Sequence, residues 1–441
     1  MHPKALLQAC AELVAQVLTL EHPADAVVSR YFREHRNLGP RERATLAETA
    51  YAVLRKKNLL EHLARSGSGP RERRLAILGF AQALDEQARS SSGQAQARGA
   101  RDFLISALND NERQWLAQCD AVPPGELLEP HRHNLPAWLV APLRQQLGEA
   151  DFWALAEAMH RTAPLDLRVN LLKAKREDVR AQLGDAAIKS ELTPYSPWGL
   201  RVQGKPALAR LPLFTSGAVE VQDEGSQLLA LLLDAKRGEM VADFCAGAGG
   251  KTLAIGASMR NTGRLYAFDV SARRLDNLKP RLARSGLSNV HPVAIAHERD
   301  ERIKRLAGKM DRVLVDAPCS GMGTLRRNPD LKWRQNPQAV AELVAKQQAI
   351  LHSAARLLKP GGRLIYATCS LLPEENEGVA QAFSLAQPDF QPLDAAAELT
   401  RLKVPQAEQL VSGTEPARCL RLWPHQHGTD GFFAALWQRK G

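Results

Sequence analysis

The chain has 441 residues, 44% of them hydrophobic and 24% charged, a balance typical of a globular protein with about two to four domains. Its formal net charge of +11 makes nucleic acid the first partner to consider, although a solvated basic surface would give the same charge. The 6 cysteines include no Cys-x-x-Cys pair, and no apolar run reaches the roughly 18 residues of a membrane span, so we expect a cytoplasmic protein with reduced thiols and no membrane anchor.

The first part of the chain, up to about residue 120, predicts helices throughout. Alanine, leucine, arginine and glutamate dominate it, and apolar positions recur three and four residues apart. A turn at residues 37–40 precedes a helix at 41–54, and the polar stretch 89–93 interrupts the pattern. Prolines at residues 121–134 indicate a linker. We therefore expect an all-helical domain, with its linker, at residues 1–134.

The middle part, residues 135–215, predicts a small α+β module. Helices are expected at 138–160 and 175–183, and a strand at 165–170. Shorter β segments are expected at 200–202 and 213–214.

From residue 216 to the C-terminus the pattern alternates between strand and helix, which predicts a doubly wound parallel sheet of Rossmann-like type. The fold class is therefore α/β. Strands are expected at 239–244, 264–268, 289–294, 311–315 and 363–367, a helix at 338–358 closed by residues 359–362, and late β segments at 418–422 and 432–437.

A glycine-rich turn at residues 245–252 joins the first of these strands to a helix, which lets a ligand approach the backbone. A phosphate loop is disfavoured because Cys245 stands where that motif needs its first glycine. A dinucleotide fingerprint starting at Gly247 places Thr252 where its last glycine should be. We therefore expect a nucleoside-type cofactor, with Asp269 on its ribose; a helix N-cap or a loop aspartate is the alternative for this residue.

Two cysteines follow two other predicted strands, Cys319 after 311–315 and Cys369 after 363–367, so both should face one cleft. A thiolate that adds to carbon 6 of a cytosine makes carbon 5 nucleophilic enough to take a methyl group. A second acid/base group then helps to expel the thiolate. Asp316 in the same cleft could bind the polar edge of the base. These residues alone do not decide which cysteine attacks, and the other cysteines more often pack as small apolar side chains.

Several motifs occur in an order that resembles the Sun/Nop family of S-adenosylmethionine-dependent RNA cytosine-5 methyltransferases. They are residues 243–252, 316–323, 326–334 and 366–370, with 373–377. Residues 38–55 also resemble a NusB-like RNA-binding domain, for which a generic helical bundle is the alternative. Together these features are most similar to the bacterial branch that methylates small-subunit (16S) ribosomal RNA.

The resemblance implies specific roles. Cys369 would be the nucleophile, and Cys319 would assist release of the product. Asp316 would contact base and cofactor, Asp269 would hold the ribose, and Lys251 would lie near the base. The methionine part of S-adenosylmethionine would be lined by Cys245, Ala246, Gly247, Ala248, Gly249, Gly250 and Lys251.

The chain departs from the family pattern in two places. The family usually has Ala-Pro-Gly-Gly where this chain has residues 247–250, and proline would have fixed φ there. An acidic residue usually follows the third strand to hold the adenine, whereas His297 and Glu298 stand near that position here, so this contact is left unassigned. These departures motivate one alternative, a non-catalytic ribosome-assembly factor. A transfer-RNA cytosine-5 methyltransferase is the other.

Candidate RNA contacts complete the prediction. A stretch of cations around an aromatic ring suits backbone phosphates and a stacked nucleotide, although the loop could instead fold by its own salt bridges. The residues assigned to RNA are Arg326, Arg327, Lys332, Trp333 and Arg334, with Arg168 and Asn170 of the middle module. We expect a monomer that binds ribosomal RNA, and no metal, because the His pairs at 131/133 and 425/427 lack further ligands.

Overall fold

The computed structural model of the chain describes residues 1–88, 94–204 and 206–441, and the predicted interruption at 89–93 lies outside them. These residues form two compact units. The first, here called the helical unit, is Met1–Thr162 with Thr324–Asn336; the second, the sheet unit, is Ala163–Gly323 with Pro337–Gly441. The units follow different boundaries from the three expected domains at 1–134, 135–215 and 216–441, and that division stays a prediction.

The helices, in chain order, have the following bounds. They are α1 Pro3–Val17, α2 Ala24–Glu34, α3 Pro40–Arg55, α4 Lys57–Ala64, α5 Arg71–Ala88, α6 Gln94–Ser106, α7 Asp110–Asp120, α8 Glu129–His133, α9 Ala137–Met159, α10 Arg176–Asp185, α11 Pro212–Thr215, α12 Glu224–Leu233, α13 Gly250–Ser258, α14 Ala272–Ser285, α15 Glu301–Lys304, α16 Leu331–Arg334, α17 Pro337–Ala355, α18 Glu377–Ala386, α19 Ala395–Arg401 and α20 Pro424–His427.

The helical unit contains α1–α9 and α16, and its core lies between α1, α3 and α5. Leu7, Leu46 and Val53 are fully buried in this core. Local sequence explains where some of these helices begin. Asn109 and Glu112 form a capping box at the start of α7, and prolines at the first turns of α1 and α3 supply the φ angle a helix needs there.

The strands have the following bounds. They are β1 Leu165–Val169, β2 Ser190–Leu192, β3 Gly199–Val202, β4 Val219–Val221, β5 Met240–Asp243, β6 Arg264–Asp269, β7 Val290–Ala294, β8 Met310–Asp316, β9 Leu358–Thr368, β10 Phe390–Leu393, β11 Val411–Ser412, β12 Cys419–Leu422 and β13 Phe432–Arg439. A four-stranded antiparallel sheet has the order β2-β3-β1-β4. The larger sheet has the order β11-β12-β13-β9-β8-β5-β6-β7, with β10 paired to β13.

The larger sheet confirms the predicted α/β class. Strands β9, β8, β5, β6 and β7 run parallel, whereas β13 pairs antiparallel with β9. Val241, Leu314 and Ile365 are fully buried, as expected for parallel strands covered on both faces. Asp243, Asp269 and Asp316 are the last residues of β5, β6 and β8. Because these strands are parallel neighbours, the three carboxylates lie along one edge of the sheet.

Two local predictions were wrong. Residues 213–214, expected as β structure, lie in the short helix α11, where Pro212 provides the first-turn φ. Residues 359–362, expected to close the preceding helix, lie inside β9, because Leu358 already pairs with Met310 of β8. Across residues 1–88, 94–204 and 206–441, the structure contains no helix with the length and apolar character that a membrane crossing requires.

Candidate active site

The glycine-rich loop leaves β5 and enters α13 at Gly250. Gly247 and Gly249 have φ of +57° and +82°, which side chains other than glycine rarely adopt. A Cβ on Gly249 would collide with the end of the Leu278 side chain in α14, so another residue there would displace that side chain as well as strain the backbone. A Cβ on Gly247, in contrast, would meet no described atom within 4 Å. The loop therefore presents an open stretch of backbone on one side.

Asp269 faces this loop from the end of β6 and is only 5% exposed. Its Oδ2 accepts a hydrogen bond from Gly247 N at 2.8 Å, and its Oδ1 accepts one from Ser271 N at 2.7 Å. The N-cap of α14 is Ser271, whose Oγ accepts from Arg274 N, so Asp269 is not an N-cap. Its hydrogen bonds to loop N–H groups fit the other alternative, a loop aspartate, and its ribose role stays a prediction. Each carboxylate oxygen keeps a lone pair that a ribose hydroxyl could use.

Asp243 lies beneath the loop at the end of β5 and is 1% exposed. Thr252 Oγ1 donates to its Oδ2 at 2.6 Å, while its Oδ1 is buried without a hydrogen-bond partner among the described residues. Burial raises the pKa of this carboxyl to about 7. A buried acceptor left without a donor is costly, which suits a site completed by a bound molecule. Sequence reasoning included Asp243 in a motif without giving it a role.

Two guanidinium groups hold the carbonyl oxygens of the loop. Arg281 Nη1 donates to Ala248 O at 2.7 Å, and Arg168 Nη1 donates to Gly250 O at 2.6 Å and to the Gln222 side chain. Arg281 also pairs with Glu220 at 3.0 Å. Burial lowers the pKa of Arg168 to about 10, which leaves it charged at neutral pH. These contacts fix a loop that lacks the proline expected from the family pattern.

The assignment of Arg168 and Asn170 to RNA contacts is therefore corrected. Arg168 is 3% exposed and bonded to the loop, as described above. Asn170 is 4% exposed, and its Nδ2 donates to Gly217 O at 3.0 Å and to Ser285 O at 2.9 Å. Both side chains are used to hold the sheet unit together.

Lys251, in the first turn of α13, connects the loop with the end of β8. Its Nζ donates to Asp316 Oδ2 at 2.6 Å. Burial alone would lower the pKa of Lys251, but the Asp316 carboxylate beside it outweighs burial and raises the net pKa. The ammonium group therefore stays charged next to the carboxylate predicted to contact the base.

The structure brings the two predicted active-site cysteines together. Cys319 lies in the turn after β8 and Cys369 directly follows β9; their Sγ atoms are 3.4 Å apart. Gly323 N also donates to Cys369 O at 2.8 Å, which joins the two turns through the backbone. The hydrogen bond with Cys369, followed by burial, raises the pKa of Cys319 well above its ordinary value. Cys319 therefore keeps its proton at neutral pH and can donate it to the sulfur of Cys369.

Cys245, the remaining cysteine of this edge, is half-buried in the loop after β5. Burial raises its pKa well above the ordinary value, so it stays a thiol. Within residues 1–88, 94–204 and 206–441, no cluster of three or more His, Cys, Asp or Glu side chains is placed to hold a metal ion.

The candidate RNA stretch 326–334 belongs to the helical unit and is bonded to it. Lys332 is 2% exposed and its Nζ donates to Arg55 O at 2.8 Å, and Trp333 Nε1 donates to Leu54 O at 2.7 Å. Arg326 is 7% exposed, and its carbonyl accepts from Arg55 Nη2 at 3.2 Å. The RNA assignment of Arg326 and Lys332 is therefore corrected to a structural role, whereas that of Trp333, which is half-buried, stays a prediction.

The other two residues of that stretch are half-buried. Arg334 Nε donates to Leu20 O at 3.3 Å, and its Nη1 pairs with Asp330 at 3.5 Å. RNA contact by Arg327 and Arg334 stays a prediction.

Comparisons with known proteins find relatives that cover most of the chain. A family model described as 16S rRNA methyltransferase RsmB/F matches residues 230–438, and one described as the RsmF/B-like ferredoxin-like domain matches residues 135–208. A probable ribosomal RNA small subunit methyltransferase B of Synechocystis sp. is 32% identical over 429 residues, 93% of this chain and 94% of the relative. The corresponding Bacillus subtilis protein is 34% identical over 78% of this chain and 75% of its own. The crystal structure of PH0851 is 29% identical with a TM-score of 0.76, covering 100% of this chain and 99% of that one.

Proposed function

Because the chain belongs to the RsmB/F family of 16S rRNA methyltransferases, we propose that it methylates carbon 5 of a cytosine in small-subunit ribosomal RNA, using S-adenosylmethionine. The observation that carries this proposal is the 3.4 Å separation of the Cys319 and Cys369 sulfurs beside Asp316. Methylation of a ring nitrogen or a ribose oxygen needs no sulfur nucleophile, whereas carbon 5 of cytosine does. We place the enzyme in the cytoplasm, where thiols stay reduced.

The residues of the sheet edge fit a cofactor of this type. Asp269 offers acceptors for ribose hydroxyls, and the open backbone at Gly247 leaves room beside it. The unpaired Oδ1 of Asp243 suits a donor group of the bound molecule. When bound, S-adenosylmethionine supplies the electrophilic methyl group that carbon 5 takes.

Cys369 is the nucleophile in this proposal. Cys319 retains its proton, so its thiol can donate a hydrogen bond to the sulfur of Cys369, which leaves Cys369 as the sulfur that attacks. The base is flipped out of the RNA, and the Cys369 sulfur adds to carbon 6, which forms a carbon–sulfur bond and makes carbon 5 nucleophilic. Asp316, held by Lys251, accepts hydrogen bonds from the polar edge of the ring.

Cys319 acts after methyl transfer. Once Cys369 is bonded to carbon 6, its sulfur no longer contributes to the raised pKa of Cys319, and in the proposed sequence Cys319 gives its own proton to solvent before it acts as the base. The Cys319 thiolate then takes the proton from carbon 5, the carbon–sulfur bond breaks, and Cys369 leaves as a thiolate. The net reaction replaces one hydrogen of the ring by methyl and releases one proton.

The test is the fate of the RNA on a Cys319→Ala variant. We expect this variant to form a covalent protein–RNA adduct that survives denaturing electrophoresis, because nothing removes the carbon 5 proton. A Cys319→Ala/Cys369→Ala double variant should form none. A Cys319→Ala enzyme that turns over at the normal rate without an adduct would refute these roles.

The two alternatives are separated by direct measurements. The protein is incubated with radiolabelled methyl donor and either small-subunit ribosomal RNA or transfer RNA, to show which RNA is the acceptor. Labelling of transfer RNA alone would refute ribosomal RNA as the substrate. A non-catalytic assembly factor predicts no binding of S-adenosylmethionine at millimolar concentration. We expect binding, because the acceptors at Asp243 and Asp269 are in place.

A further inference from the structure

A buried carboxylate lies behind the two cysteine turns. Glu375 precedes α18 and is 0% exposed. Its Oε1 accepts hydrogen bonds from Ser320 N at 2.8 Å and from Gln347 Nε2 at 3.0 Å. Its Oε2 accepts from the hydroxyls of Ser320 and Ser370. Every one of these donors is neutral, so hydrogen bonds alone compensate the burial of this carboxylate.

These partners place the carboxylate between the two turns. Ser320 directly follows Cys319, and Ser370 directly follows Cys369. The two serine hydroxyls are also 3.2 Å from each other. Gln347 extends the network, because its Nε2 donates to Pro318 O, directly before Cys319, at 2.9 Å. The turn of Cys319 is thus held on both sides of the cysteine.

The next residue holds the Cys369 turn in a second way. Asn376 Nδ2 donates to Ser370 O at 3.0 Å, and Thr368 Oγ1 donates to Asn376 Oδ1. Tyr366 in β9 donates its hydroxyl hydrogen to Glu375 O. These contacts fix the Cys369 turn to the segment that carries Glu375. The side chain of Glu375 is then the group that extends from this segment to the turn of Cys319.

We propose that Glu375 is a positioning residue that sets the separation of the Cys319 and Cys369 sulfurs. Its effect on catalysis rests on the proposed function, whereas its effect on the sulfur separation does not. A displacement of about 1 Å at a reacting group can cost about 100-fold in rate. The role therefore predicts a loss in the rate of the chemical step with little change in RNA binding.

The experiment compares Glu375→Ala with Glu374→Ala, since the neighbouring Glu374 is exposed. The first readout is the rate at which diamide oxidises Cys319 and Cys369 to a disulfide, with the hydrogens passing to diamide, mapped by mass spectrometry. We expect Glu375→Ala to slow this reaction at least about tenfold, since the sulfurs must lie close together to react. Glu374→Ala should react like the unmodified protein. A Glu375→Ala protein that forms the disulfide at the unmodified rate would overturn the proposal.

The second readout is the split between kcat and KM. Glu375→Ala should lower kcat for methyl transfer about 100-fold and leave KM for RNA within about twofold, as expected of a group that positions reacting atoms. Glu375→Gln should recover most of both readouts, because a glutamine can accept from Ser320 N and donate to the serine hydroxyls. Equal losses in Glu375→Gln and Glu375→Ala would contradict positioning through these hydrogen bonds.

Two further outcomes are distinguishable. If Glu375→Ala does not fold, Ser370→Ala removes one donor to Glu375 together with the acceptor of Leu372 N, and it should slow disulfide formation by itself. An unchanged rate would count against the proposal. If the unmodified protein methylates no cytosine, the proposed function fails. The disulfide rates of Glu375→Ala and Glu374→Ala still decide the positioning role in that case.

Discussion

The cysteine turns and the glycine-rich loop lie along the same sheet edge but are held in different ways. The Cys369 turn is held from nearby in the chain, for example by Asn376, which is 6 residues from Ser370. The loop is held by distant residues, since Arg281 is 33 residues from Ala248, and Arg168 is 82 residues from Gly250. The proposed nucleophile thus lies on a turn held largely by its own segment, whereas the proposed cofactor loop depends on contacts between distant parts of the sheet unit. Substitutions on the two sides should therefore have different kinetic effects.

The largest effect is expected at the cysteine turns. Cys369→Ala removes the proposed nucleophile and should reduce methyl transfer by about 10⁴-fold or more, with cofactor affinity unchanged. The measurement is incorporation of labelled methyl into small-subunit RNA, together with calorimetric binding of S-adenosylmethionine. Cys419→Ala, a cysteine on β12, is the control and should retain activity. If Cys369→Ala also lost cofactor binding, the cysteine turns and the glycine-rich loop would not act independently.

On the loop side, Asp243→Asn should change the pH dependence of stability. The folded-state pKa of Asp243 is raised to about 7, so its contribution to stability is present at low pH and is lost as pH rises from about 4 to about 7. The asparagine keeps an acceptor for Thr252 but does not ionise. The unfolding free energy of the unmodified protein should therefore fall by about 4 kcal/mol more than that of Asp243→Asn over this range. The measurement is urea unfolding of both proteins at pH 4 and pH 8. If their unfolding free energies change by the same amount between these two pH values, burial of this carboxyl carries no such cost.

The backbone of the loop gives the third prediction. Gly249→Ala should lower the free energy of unfolding by about 3 kcal/mol, because it combines a positive φ with a collision against Leu278. Gly247→Ala has a positive φ without the collision and should cost only about 1 kcal/mol. Chemical unfolding of the two variants tests this difference. Equal losses would mean that the close approach of the loop to α14 contributes nothing.

The smallest effect is expected from the guanidinium that holds Ala248. Arg281→Ala should raise KM for S-adenosylmethionine about tenfold with kcat nearly unchanged, since a hydrogen bond to a charged group contributes about 1.5–3 kcal/mol. Arg284→Ala is the matched control, because Arg284 also pairs with Glu220 and instead lies over the Phe214 ring. We expect its KM to stay at the unmodified value. If KM rose equally in both variants, the effect would come from the lost ion pair with Glu220 and not from the lost hydrogen bond to the loop.

The sequence predicted the features that depend on chain pattern. The alternation of strands and helices predicted the α/β class, which is confirmed. The positions of the strand ends predicted that Asp269, Asp316, Cys319 and Cys369 lie near one edge of the sheet. The family suggested by the motifs is confirmed by the comparisons. These features could be predicted because parallel strands place residues far apart in the chain at one edge.

Side-chain burial could not be predicted in the same way. Cations such as Arg168 and Lys332 were interpreted as exposed RNA contacts, because buried cations are rare and their partners are backbone carbonyls, which no sequence pattern marks. Glu375 was noted within a motif, but its role depends on serines 55 and 5 residues away, which become neighbours only in the folded chain.

The segment Thr324–Asn336 has a consequence for attempts to shorten the protein. It follows the Cys319 turn in sequence, yet Lys332 and Trp333 find their partners among residues of α3. Burial, and then the charge of Arg55, lowers the pKa of Lys332 well below its ordinary value. Deleting residues 1–162 would leave an indole and a hydrocarbon stem without the surface that covers them. A shortened catalytic fragment should therefore aggregate unless those thirteen residues are replaced by a polar connection between Gly323 and Pro337.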